Sequence, residues 1–88
     1  MLRVYVRFVA ILREWIGVRA EWTTIAEGST VAELWRAYAA RHPRAQTARV
    51  AYAVNRKLVA ADYVLRDGDQ VDVLPPISGG VAAARADG

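Results

Sequence analysis

The sequence predicts an α+β domain in which one main helix lies on a mixed sheet of four to five strands. Three observations predict it. A stretch of period two opens the chain, a helix with its own start signal occupies the middle, and short alternating runs separated by turn residues close it. At 88 residues the chain holds one domain with a single modest core.

The elements follow in order. Leu2, Val4, Val6 and Phe8 alternate with Arg3, Tyr5 and Arg7, the pattern of a strand with one face on a core. "VAILREWIG" then shifts to helical spacing through Ala10, Ile11, Glu14 and Trp15, with Gly17 as its C-cap. Ala20 to Ala26 reads as a second strand paired with the first, with Trp22 and Thr24 on one side and Ile25 on the other. Thr30 and Glu33 make a capping box, after which Val31, Leu34, Trp35 and Tyr38 form one apolar stripe. Arg41 and His42 fall at the negative end of that helix, and Pro43 stops it. "RVAYAVN" alternates with Val50, Tyr52 and Val54 on one face, and "NRK" turns into a short strand around Leu58 and Val59. Asp67-Gly68 marks a last turn before the strand Gln70 to Leu74. With the first and last strands side by side, Arg3 and Arg7 would meet Asp72 on the open face, beside Tyr5 and Leu74. The three tryptophans read as core.

The residue inventory removes most chemistry. Absence of cysteine excludes disulfides, thiolate metal sites and cysteine nucleophiles, and fits a reducing compartment. His42 is the single histidine, so neither a histidine-based triad nor a metal site has its parts. The carboxylates Asp62, Asp67, Asp69 and Asp72 lack the spacing of a calcium loop and read as solvated turn residues. The start of the chain does not read as a signal peptide, and no run is long enough to cross a bilayer. Nine arginines oppose four glutamates up to Arg56, whereas Lys57 to Gly80 is acidic, a polarity that suits a polar protein partner at least as well as a nucleic acid. Arg36, Arg41, Arg44 and Arg49 would form a phosphate stripe only with Tyr38 or Tyr52 free to stack, and both tyrosines read as core. These features describe a carrier or a binding module, not a catalyst with its own site.

What remains is the tail. Pro75 and Pro76 hold extended geometry, so the chain leaves the sheet as a spacer. Ile77 is an apolar anchor, Ser78 is small, and Gly79 and Gly80 strip side chains from the tip, which suits a narrow channel. From Pro75 to Gly80 the segment reaches at most ~20 Å.

"VRFVAILREWIG", "STVAELW", "NRKLV", "LRDGDQVDVLPP" and "PPISGG" together resemble the MoaD/ThiS family of ubiquitin-like sulfur carriers, and within it the small subunits of molybdopterin synthase. The resemblance runs from Met1 to Gly80. It implies a β-grasp domain over 1–74, a diglycine tail over 75–80 and an extension over 81–88. It also implies a non-catalytic carrier in the cytoplasm with no permanently bound cofactor. An adenylating partner related to ubiquitin activators would use ATP to activate the Gly80 carboxyl, which becomes a thiocarboxylate. The large synthase subunit would then receive the tail, with Pro75, Pro76, Ile77, Ser78 and Gly79 threading its active site. Val9, Leu58 and Leu74 match positions of the family's apolar docking patch, and Arg13 matches one near the partner interface. The family acts through a terminal glycine, yet "VAAARADG" follows Gly80 here. Removal by a processing protease is the expected resolution; a linker to a fused domain and loss of the chemistry are the others. A carrier for thiamine or cysteine synthesis, and a β-grasp binding module without carrier chemistry, are the competing readings.

Overall fold

The computed structural model describes residues 1–75. Alternation places Val4, Val6 and Phe8 of β1 (Leu2–Phe8) in the core and turns Arg3, Tyr5 and Arg7 to the opposite face. A short helix, α1 (Ile11–Ile16), links β1 to β2 (Ala20–Ile25), which returns antiparallel beside it. The main helix α2 (Val31–Ala39) and the one-turn α3 (Pro43–Gln46) follow. The chain then forms the hairpin β3 (Ala51–Val54) and β4 (Lys57–Val59), and ends its regular structure with β5 (Gln70–Leu74). The strand order is β2-β1-β5-β3-β4, so the first and last strands are central neighbours. They run parallel, with Arg7 level with Asp72, and every other pairing is antiparallel. This is the mixed five-stranded, β-grasp-like sheet that the sequence predicts.

Local signals explain where α2 begins. Glu33 N donates to Thr30 Oγ1 at 3.1 Å, and Thr30 N donates to Glu33 Oε1 at 2.9 Å, so both halves of the capping box form. Val31, Leu34, Trp35 and Tyr38 are buried against Val4, Val6, Phe8, Val71 and Val73 of the central strands. Phe8 meets Tyr38 edge-on, with ring centroids 4.9 Å apart.

Several expectations are corrected. The helix α2 closes at Ala39, so Arg41 and His42 lie beyond its last turn. Pro43 stops that helix and also starts another. It occupies the first turn of α3, where its missing amide is no loss, and His42 takes the extended backbone that a following proline favours. The buried residues of α1 are Leu12 and Ile16, with Trp15 half-buried; Ile11 is exposed and the stripe is rotated from the expected one. Gly17 does cap this helix, with φ 89° and its amide on Arg13 O at 2.9 Å. Of the three tryptophans only Trp35 is fully core; Trp22 stands 52% exposed on β2.

Two of the turn carboxylates are not solvated. Asp69 is buried, accepting from Asn55 Nδ2 at 2.9 Å and from Arg66 N at 2.8 Å. Gln70 N in turn donates to Asn55 Oδ1 at 3.0 Å, which ties the β3–β4 turn to the start of β5. Asp72 is the second buried carboxylate, and its partner lies on the open face.

Candidate functional site

The candidate site has two parts, the base of the tail and the sheet face that α2 leaves open. Strand pairing aligns Leu58 with Ala53, Ala53 with Asp72, Asp72 with Arg7 and Arg7 with Ala20, which makes one row across that face. Leu74 lies beside Ala51 in the adjoining row toward the tail. Asp72 accepts from Arg7 Nε at 2.8 Å and from Nη2 at 3.0 Å, a two-pronged pair joining the central strands. The sequence anticipates this pair. It does not anticipate Arg3, which stays away from Asp72 and holds its guanidinium 5.0 Å from the centre of the Trp22 ring. Tyr5 flanks the same ring at 5.3 Å.

At the tail end of the face, Val9 follows β1 and donates its amide to Val73 O at 3.1 Å, level with the close of β5. A depression of about 410 Å³ brings Val9 together with Arg13 on α1 and with Arg7 and Arg19. Among the four expected docking residues, Leu58 is 74% exposed, Arg13 is exposed, and Val9 and Leu74 are half-buried. Leu58 lies on β4, separated from β1 by β5 and β3, so it stands apart from the Val9–Arg13 depression. Pro75 is half-buried at the tail base. Pro76, Ile77, Ser78, Gly79, Gly80 and the extension 81–88 lie outside the described residues.

Among the described residues no group of three or more His, Asp or Glu side chains is placed to hold a metal. Tyr38 is buried, with its hydroxyl donating to the Glu21 carboxylate, and Tyr52 is half-buried, so neither ring is free to stack on a base. Burial, with the Glu21 bond adding to it, pushes the Tyr38 phenol up to about 12. No described helix is long and apolar enough to cross a membrane.

The comparison that decides the family covers the domain and the tail. The model of the ThiS family matches residues 6–80. The chain belongs to the ThiS family. As a member of it, the chain is 33% identical to the molybdopterin synthase sulfur carrier subunit of Homo sapiens, across 91% of this chain and 97% of that one. Its fold is similar to that of a putative molybdopterin converting factor subunit 1 from Pyrococcus furiosus, with a TM-score of 0.79 and 31% identity over 88% of this chain and all of that one. It is also similar to a chain in a complex of subunits 1 and 2 of molybdopterin-converting factor from Helicobacter pylori, with a TM-score of 0.61 and 27% identity. That match covers 90% of this chain and 100% of the other.

Proposed function

We propose that this ThiS-family chain is the sulfur carrier subunit of a molybdopterin synthase and works in the cytoplasm. The observation that carries the reading is the extent of the family match, which runs through the whole tail and stops at Gly80. A domain with no assembled catalytic group and a reactive main-chain end is the division of labour a carrier needs: reach from the carrier, catalysis from its partners.

The chemistry then belongs to the Gly80 carboxyl. Cleavage of the Gly80–Val81 peptide bond by a processing protease frees it. A carboxylate is a poor electrophile, so an activating enzyme joins it to the AMP moiety of ATP and releases pyrophosphate. A sulfide equivalent attacks the acyl carbon, AMP leaves, and a thiocarboxylate remains. The large subunit takes up the tail through Pro75, Pro76, Ile77, Ser78 and Gly79, while Val9, Arg13, Leu58 and Leu74 dock the domain. A complex of the two subunits in the Helicobacter pylori relative supports this partner. The adenylating enzyme and the protease rest on the chemistry alone.

Intact mass of the protein recovered from its native cell tests the reading. Species ending at Gly80, some carrying the increment for one oxygen replaced by sulfur, are expected. Recovery only of chains that continue through Val81 overturns it. Growth rescue of strains lacking a molybdenum-cofactor carrier, against strains lacking a thiamine carrier, separates the two pathways.

A further inference from the structure

The two edges of the sheet are built differently. On one side β4 is three residues long, is preceded by Arg56 and begins with the exposed Lys57, which is how an edge is kept from pairing. On the other side β2 is six residues long, pairs with β1 in unbroken register, and contains neither proline nor lysine. Its one charged residue, Glu21, already accepts the Tyr38 hydroxyl. Trp22, 52% exposed, stands on this strand beside Arg3 and Tyr5. No described strand pairs with its outer edge.

Hydrogen-bond parity defines what that edge offers. Phe8 N donates to Arg19 O at 3.0 Å, so the odd-numbered positions of this segment face β1. In an antiparallel ladder the intervening residues point the other way. The amides and carbonyls of Ala20, Trp22 and Thr24 therefore face outward. Beyond them, Ala26 O is taken by Ser29 N and Ser29 Oγ, which ends the strand.

We propose that β2 pairs antiparallel with β2 of a second copy of this chain, with Thr23 on the two-fold axis, to form one continuous sheet across the dimer. In this register Trp22 faces Thr24 of the second copy and each exchanges both main-chain hydrogen bonds, giving about four at the centre. The same register sets the exposed Arg19 of each chain against the exposed Glu27 of the other. Sliding by one pairing step breaks this match. One direction puts Glu21 against Glu27, and the other leaves Arg19 facing Ile25. Charge and parity thus select a single arrangement. It leaves β4, β5 and the tail base clear.

Sedimentation equilibrium of the full chain, from micromolar to near-millimolar, tests the proposal. A concentration-dependent rise toward twice the 9.7 kDa monomer is expected. Arg19→Glu and Glu27→Arg each place like charges together twice and weaken the dimer by about tenfold, and combining them restores it. Trp22→Pro removes an outward donor that serves no partner within the sheet, and abolishes the dimer. Circular dichroism confirms that each variant is folded, and the charge variants stay decisive should the proline variant fail to fold. A monomer at every concentration overturns the proposal. So do single reversals without effect, or a double reversal that fails to restore association.

Discussion

Removing the Tyr38 hydroxyl separates two consequences of one buried bond. The ring lies in the core against Phe8, and its hydroxyl donates to Glu21 on β2. Tyr38→Phe keeps the ring and loses the bond. Because the Glu21 side chain sits at an exposed position, water can take over its free lone pair. The expected cost near pH 8 is therefore only ~1 kcal/mol. The wild-type phenol has a folded pKa of about 12 against an ordinary value of 10.0, so the folded chain holds this proton to higher pH than the unfolded chain. Its stabilisation is fully present below pH 10 and is lost as pH rises toward 12. The whole displacement would correspond to roughly 3 kcal/mol in an unscreened site. Solvent near the exposed carboxylate screens that to ~1 kcal/mol. Urea midpoints for both proteins, measured from pH 8 to about 11.5, are expected to start ~1 kcal/mol apart and converge. Every other side chain is shared by the two proteins, so the difference isolates Tyr38. A difference that stays constant across this range would refute the account, because burial and the Glu21 bond would then not hold the phenol proton.

Three further outcomes follow from particular side chains. Asp69→Ala leaves Asn55 Nδ2 and Arg66 N without their acceptor and is expected to cost ~2–3 kcal/mol in guanidinium denaturation. Arg56 sits at φ 73° beside Asn55 at φ 51° in the β3–β4 turn, so Arg56→Gly is expected to raise stability by ~0.5–1 kcal/mol in the same assay. Leu58→Asp alters a side chain 74% exposed, so the unfolding free energy should move by less than ~0.5 kcal/mol. Calorimetric titration against the large synthase subunit should meanwhile show at least ~tenfold weaker binding.

The legible parts of the fold were those with redundant signals. In β1 three alternating apolar residues went into the core, and both halves of the Thr30–Glu33 box formed as their spacing implied. The Arg7–Asp72 pair depended on the first and last strands lying side by side, a condition that the residue pattern does not set and that the parallel β1–β5 pairing meets. The misread parts share a physical cause, a local pattern compatible with two environments. Six residues of α1 carry apolar side chains on two sides, and packing chose Leu12 and Ile16. Pro43 stops one helix as readily as it begins the next. Period two placed Trp22 and Ile25 on opposite faces but did not say which face the helix covers, so an exposed tryptophan passed for core. Asp69 looked like a solvated turn residue because its donors, Asn55 and Arg66, come from two separate turns. The separation across the sheet between Leu58 and the Val9–Arg13 depression was not legible, because it needed the strand order.

The central place of β5 has a mechanical consequence. Traction on the segment beyond Leu74 acts along a strand held on both flanks, by β1 on one side and β3 on the other. The load is shared sideways over many main-chain bonds at once, so they resist in shear and do not peel away singly. A partner that tugs on the chain beyond Leu74 would therefore meet a body that holds its shape under the load.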